Sequence, residues 1–79
     1  MVHHFLILWD TETNDAVYSE LVKKPDCWEG LLLFLAGEVY KLGLSERIEI
    51  IHSSGIPSQS KTFFKDDIEA IGRVVEAGG

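Results

Sequence analysis

The chain is poor in several residue types, and each shortage excludes a class of protein. Cys27 is the only cysteine among 79 residues, so no internal disulfide can form, and a reducing, cytoplasmic location is expected. Seven basic residues stand against thirteen acidic ones, which gives a net charge of −6. Because nucleic acids and anionic membranes attract clustered positive charge, we expect this protein to bind neither of them directly.

Long hydrophobic runs are also missing. The N-terminal apolar run, Phe5–Trp9, is much shorter than a membrane span or the apolar region of a signal peptide, so neither is expected. The composition is otherwise ordinary for a folded protein, with 46% hydrophobic and 25% charged residues. Residues 1–79 are therefore predicted to form one small globular domain. A chain of this size buries only about 60% of its unfolded surface, so we expect stabilisation by oligomerisation.

The stretch Asp26–Gly43 carries the strongest helix signals. Asp26 is predicted as the N-cap, with Glu29 completing a capping box, and Gly43 as the left-handed residue that follows the last turn. Helical spacing places a stripe of apolar side chains on one face, which we predict to pack in the core: Trp28, Leu31, Leu32, Leu35, Val39 and Leu42.

The opposite side of this helix is apolar as well, and it has two interpretations. Either the C-terminal helix or a loop covers Leu33 and Phe34, or this side stays exposed and binds a partner. In the second case we predict a protein-binding surface, for a second copy or another protein, made of Gly30, Leu33, Phe34, Gly37 and Tyr40.

The rest of the chain is predicted to form strands and one further helix. His3–Asp10 and Glu46–His52 have the pattern of strands, and Lys61–Lys65 that of a short edge strand. Ala16–Lys24 fits either a strand or a helix; we favour the strand, because a helix would leave the first strand short of partners. Asp66 is predicted to open the last helix, with a capping box.

This order predicts an α+β fold, a two-layer β-β-α-β-α sandwich. Its small antiparallel sheet has the order 2-1-3, with a short fourth edge strand, and two helices cover one face. Phe5, Ile7 and Trp9 point to one side of the first strand, and Leu6 and Leu8 to the other. Since two helices on one side cannot cover both, we expect the open side to contact a second subunit, as a homodimer, or the C-terminal helix.

The acidic pair in Trp9–Thr13, WDTET, lies at the end of the first strand. It resembles the first motif of the DnaQ-like exonucleases, a strand that ends in Asp-x-Glu-Thr, and the resemblance implies a two-metal nuclease site that includes Asp10 and Glu12. The match covers five residues, and the same residue types form hairpin turns. Because one acidic pair supplies too few ligands for two metals, we predict no metal site, no cofactor and no nuclease activity.

The three histidines also form a candidate site. Adjacent strand residues point to opposite faces, so only one of His3 and His4 can meet His52. A zinc site needs further ligands at fixed geometry, and we predict solvated histidines instead.

A second candidate site is the polar stretch after the third strand. His52, Ser53, Ser54, Gly55 and Lys61 offer hydroxyls, a glycine and a cation, which would suit a small molecule or phosphate. The stretch matches no P-loop or dinucleotide fingerprint, and we favour the interpretation that it only connects two strands.

Two functions follow from these patterns. The favoured one is a small, non-enzymatic, acidic interaction or regulatory protein that acts through an apolar helix or sheet surface. The alternative is an enzyme subunit that binds a small molecule through the loop after the third strand. No catalytic residue is predicted. A flat apolar patch would favour the first function, and a concave polar pocket at His52 and Lys61 the second.

Overall fold

A four-stranded antiparallel sheet and two helices make up the fold in the computed structural model, which describes residues 3–55 and 59–78. The elements are β1 (His4–Asp10), β2 (Asp15–Val22), α1 (Trp28–Lys41), β3 (Ile48–Ser53), β4 (Lys61–Phe63) and α2 (Lys65–Glu76). The strand order is β2-β1-β3-β4. The predicted α+β architecture is confirmed, including the 2-1-3 order, the fourth edge strand and the strand between the first turn and α1.

The β1–β2 hairpin turns through residues 11–14. Asn14 has a positive φ of 56°, a conformation that asparagine tolerates better than most residues. The pairing shifts by one residue between Leu8, which lies opposite Tyr18, and Trp9, which lies opposite Ala16. Val17 is therefore the extra residue of a β-bulge in β2.

The core lies between one face of the sheet and the two helices. Leu6 of β1, Ile50 of β3 and Ile68 of α2 are completely buried. Strand residues alternate in burial, so Ile48 and Ile50 point inward as predicted. One cluster of buried apolar side chains joins all the layers: Leu6, Val22, Leu32, Leu35, Ala36, Val39, Ile48, Ile50, Phe63 and Ile68. Both helices therefore cover the same side of the sheet.

The start of α1 differs from the prediction. Pro25–Cys27 forms a 3-10 turn, closed by a hydrogen bond of 3.0 Å from the Cys27 amide to the Lys24 carbonyl, and α1 then begins at Trp28. Asp26 lies inside this turn rather than in the extended conformation of an N-cap, so the predicted cap was wrong.

The end of α1 is as predicted. Gly43 has a φ of 71°, its amide donates to the Tyr40 carbonyl, and the Leu44 amide donates to the Val39 carbonyl, both at 3.0 Å. These two bonds define a Schellman motif, which requires the left-handed conformation that glycine adopts without strain.

The N-cap of α2 lies two residues earlier than the predicted Asp66. Phe64 is its N-cap residue, and the Phe64 amide donates to Asp67 Oδ2 at 3.2 Å. The acidic residue that caps the helix is thus Asp67 rather than Glu69. Within the part of the chain that the structure describes, no helix is long and apolar enough to cross a membrane.

The two helices approach each other closely at glycines. An added Cβ on Gly72 would lie 2.4 Å from Cγ of Tyr40, and one on Gly37 would lie 3.3 Å from Cγ1 of Val75. This contact turns the buried stripe of α1 toward Ala36 and Gly37. Leu42, predicted in the core, is consequently 68% exposed, and that prediction was wrong.

Candidate interaction surface

The side of the sheet that faces away from the helices is apolar, and we call it the open face. Its apolar residues are Phe5, Ile7 and Trp9 on β1, Leu21 on β2 and Ile51 on β3. Phe5 is 43% exposed, and the other four are half-buried by their neighbours on the sheet. An antiparallel sheet that faces water normally carries polar residues on that side, so this surface is exceptional.

The strand register gathers these residues into one patch. Ile7 lies opposite Ile51 on one side, and Phe5 lies opposite Leu21 on the other. The positions around them hold small polar side chains, Ser19, Ser53 and Thr62. Among the described residues of β1–β4 that point to this side, Glu49, opposite Trp9, is the one charged residue. The open face is therefore a nearly uncharged, broad apolar surface.

The predicted helix surface is divided in two by α2. Gly30, Leu33 and Phe34 are exposed, and the exposed fraction is 45% for Leu33 and 61% for Phe34. By contrast, Gly37 is buried against Val75, and the half-buried Tyr40 packs over Gly72. The helix α2 therefore covers the second half of this surface, while Leu33 and Phe34, which the C-terminal helix was one candidate to cover, remain exposed.

The polar loop after β3 is largely engaged with itself. The Ser54 hydroxyl donates to Gln59 Oε1 at 3.1 Å, and the Gly55 amide donates to Ser53 Oγ at 3.4 Å. Lys61 Nζ lies 4.8 Å from the centre of the Phe63 ring, a cation–π contact. Residues 56–58 of the predicted loop lie outside the described residues. The described groups thus make local contacts rather than converging on a ligand.

His52, the first residue of that candidate loop, faces the core side of the sheet and is only 8% exposed. Its Nε2 is 2.7 Å from Nδ1 of His4, and the two ring planes differ by 10° with centres 4.9 Å apart. Rings so oriented lie side by side in one plane, joined by a hydrogen bond. The indole of Trp28 stacks on His52 at 4.1 Å between centres. The prediction that the histidines are solvated was wrong for His52, because Trp28 in the first turn of α1 covers it.

Protonation of the buried His52 opposes folding. The hydrogen bond needs one donor and one acceptor nitrogen, so two imidazolium rings cannot form it. Burial lowers the pKa of His52, and the nearby His4 lowers it further. As pH falls below the ordinary histidine pKa of about 6.5, the unfolded chain takes up a proton that the folded chain resists. Acid therefore removes stability over this range.

The acidic pair of the WDTET motif is held by one arginine. Arg47 donates from Nε and Nη2 to Asp10 Oδ2, at 2.9 and 2.8 Å, and its Nη1 is 3.4 Å from Glu12 Oε2. The other oxygen of Asp10 accepts the amides of Glu12 and Thr13, at 2.9 and 3.3 Å. Asp10 is 3% exposed. The motif thus builds a turn and ties it to the residue before β3.

Arg47 also determines the protonation of Asp10. Its hydrogen bond, helped by the two turn amides, lowers the pKa of Asp10 to about 2, against the opposing effect of burial.

Across residues 3–55 and 59–78, no three His, Cys, Asp or Glu side chains are grouped as metal ligands. The absence of nuclease activity itself stays a prediction.

Comparison with known proteins adds nothing to this geometry. No protein-family model, curated protein or solved structure matches the chain.

The sequence prediction did not include two residues of these sites, Ile51 and Arg47. Ile51 belongs to the open face, and the pair Ile50–Ile51 signals this, since neighbouring strand residues point to opposite sides. No comparable local sequence pattern identifies Arg47. Its partner Asp10 is 37 residues away in the chain, and only the pairing of β1 with β3 brings the two together.

Proposed function

We propose that the protein is a small, non-enzymatic interaction protein that works as a homodimer, and that the open face is its dimer interface. The observation that carries this proposal is the apolar character of a sheet surface that neither helix covers, with Phe5, Ile7 and Trp9 in its central strand. The two sheets stack face to face, about 10 Å apart, around a two-fold axis.

The size of the open face is sufficient for a weak, specific dimer. Strands of seven, eight, six and three residues, at about 3.4 Å per residue and about 4.8 Å apart, present about 400 Å² in projection. Two such faces bury about 1,000 Å² of accessible surface, close to the lower limit for specific interfaces. We therefore expect dissociation in the micromolar range.

The charge distribution supports a second copy as the occupant. The net charge of −6 opposes association, but only Glu49 among the described sheet residues brings charge to the open face. The remaining charges lie farther from the interface, and salt screens them over about 8 Å at physiological ionic strength. Small side chains such as Ser19 and Ser53 at the margins leave room for the opposing Phe5 and Trp9.

The test is sedimentation equilibrium at micromolar protein concentration. Ile7→Glu puts a charge at the centre of the open face, and we expect it to halve the mass of the assembly while the far-UV circular dichroism stays unchanged. Phe5→Glu, at a more exposed position, should do the same if Ile7→Glu compromises folding. Phe34→Glu, on the exposed surface of α1, is the matched control and should leave the mass unchanged.

Two results would refute the proposal. One is a wild-type chain that sediments as a monomer of 8.9 kDa. The other is a mass that Phe34→Glu halves and Ile7→Glu does not, which would move the interface to the helix surface around Gly30, Leu33 and Phe34.

A further inference from the structure

The indole of Trp28 lies across both rings of the histidine pair. Its plane differs by 17° from that of His4 and by 8° from that of His52, with ring centres 5.5 and 4.1 Å away. The two imidazoles lie side by side beneath it, joined by the hydrogen bond of 2.7 Å. Trp28, in the first turn of α1, therefore has two aromatic partners whose relative position depends on one hydrogen bond.

This pair can take up one extra proton without breaking its hydrogen bond, but it cannot take up two. With one extra proton, the charged ring donates to the remaining acceptor nitrogen of the other. With two, an N–H group on each ring would point at the other across 2.7 Å. Two positive charges would also lie with their ring centres only 4.9 Å apart. When both rings are charged they must therefore separate.

His4 is the ring that can move outward. His52 lies within β3, where strands pair on both sides of it, with Leu6 of β1 and Lys61 of β4. His4 is the first residue of β1 and is half-buried. Once His4 turns away, Trp28 loses one of its two partners and water reaches His52.

Few other contacts hold the start of α1 against the sheet. The 3-10 turn before it is closed by the hydrogen bond from Cys27 to Lys24, and Cys27 does not cap α1 with its side chain. This turn makes few contacts with the strands. A surface depression, lined in part by Val22, Cys27 and Leu31, lies between the turn and β2. Segments with so few buried contacts open at a lower free energy than the core.

We propose that this cluster is an acid-sensitive switch: when His4 and His52 are both charged, Trp28 and the turn before it detach from the sheet, while the strands and the rest of the helices stay folded. The open form takes up more protons than the closed form, so a falling pH favours it. Opening creates an apolar surface from Trp28, Val22 and Leu31. Because the cluster lies on the helix side of the sheet, the switch does not depend on the proposed dimer.

The other titratable and charged groups around the cluster are exposed. They are Lys23 and Lys24 after β2, Asp26 and Cys27 in the turn, Glu29 on α1 and Lys61 on β4. The ammonium of Lys61, the residue opposite His52, lies over the Phe63 ring. His3 is next to His4 and points to the other side of the sheet. Salt screens exposed charges, so burial and the nearby His4 are what lower the pKa of His52.

Acrylamide quenching of fluorescence at a series of pH values tests the switch. In the full-length chain with Trp9→Phe, Trp28 is the only tryptophan. The bimolecular quenching constant, obtained from intensity and lifetime together, measures how accessible the indole is, whatever direct quenching an imidazolium causes. We expect this constant to rise at least about twofold between pH about 8 and about 4.5, with a midpoint below about 6.5, as the half-buried indole becomes exposed. The NMR methyl signals of the completely buried Ile50 and Ile68 should not change.

Two variants separate the histidine pair from its surroundings. His4→Phe and His52→Phe each keep an aromatic ring beneath Trp28, but neither can place two imidazolium ions together. We expect the quenching constant of both to stay at its neutral-pH value. His3→Phe is the matched control, because it removes a histidine outside the pair, and it should respond to acid like the parent chain.

Several results would overturn the proposal. The first is a quenching constant that does not change with pH. A rise that persists in His4→Phe would attribute the response to the burial of His52 alone, and a rise that His3→Phe removes would place it outside the pair. Loss of the folded Ile68 methyl signal over the same pH range would mean global unfolding rather than local opening. If His52→Phe does not fold, His4→Phe, at the half-buried end of β1, decides the matter by itself.

Discussion

Replacing Gly72 by alanine would place a methyl group at the closest approach of α1 and α2. The new Cβ would lie 2.4 Å from Cγ and 2.5 Å from Cβ of Tyr40. Carbon atoms in contact normally lie about 3.5–4.0 Å apart, so a separation of more than 1 Å must be created. A change of side-chain rotamer would move Cγ, but the position of Cβ is fixed by the backbone of Tyr40, so the contact of 2.5 Å would remain.

Two opposing effects determine the change in stability. Alanine is favoured over glycine within a helix by about 1 kcal/mol. Overpacking of a close-packed interface costs about 1–3 kcal/mol, and a contact with atoms this near the backbone belongs at the upper end. We therefore expect Gly72→Ala to lower the free energy of unfolding by about 1–2 kcal/mol, which in a domain of this size lowers Tm by about 4–16 °C.

Gly30→Ala is the matched control for this substitution. Gly30 is exposed in the first turn of α1, and an added Cβ there has no heavy atom within 4 Å. Without a clash only the helix propensity remains, so we expect a gain of about 0.5 kcal/mol. Thermal and urea unfolding at one fixed protein concentration measure both variants. A Gly72→Ala protein as stable as Gly30→Ala would refute the argument from the close approach.

Two further predictions concern acid and metal ions. The urea midpoint of the wild type should fall as pH drops below about 6.5, because buried His52 resists protonation, and again below about 3.8, as protonation breaks the Asp10–Arg47 bond. His52→Phe should remove the first fall and Asp10→Asn the second; a first fall that persists in His52→Phe would exclude the histidine as its cause. Single-stranded DNA should survive incubation with the protein and Mg²⁺ or Mn²⁺, because Asp10 and Glu12 are both bound to Arg47. Degradation that Asp10→Ala abolishes would contradict this.

The parts of the fold that local signals determine were predictable. The alternation of side chains along β1 can be predicted from neighbouring residues alone. The end of α1 at Gly43 can be predicted in the same way. The rotation of α1 about its own axis was not predictable, because the contact of Gly37 and Tyr40 with α2 sets it. An apolar stripe on a helix predicts which side is buried only to within a residue or two, and a second helix shifts it.

In the candidate surfaces, too, features set by neighbouring residues were predictable, and features set by tertiary contacts were not. Phe5, Ile7 and Trp9 could be placed on one side of β1 from their spacing alone, and the structure leaves that side open. The histidine pair was harder to predict, because it joins residues 48 apart in the chain and depends on Trp28 to cover it. Such contacts are properties of the folded topology rather than of any short stretch.

The central position of β1 has a consequence for the order in which the protein folds during synthesis. β2 follows β1 directly, but β3 pairs along the other edge of β1 and is made about forty residues later. At roughly 5–20 residues per second, the ribosome needs about 2–8 s to produce that segment. During this interval the β1–β2 hairpin exposes an unpaired edge and apolar side chains on both faces of β1. A released fragment of residues 1–41 should therefore bind general chaperones more strongly than the full chain, which includes β3.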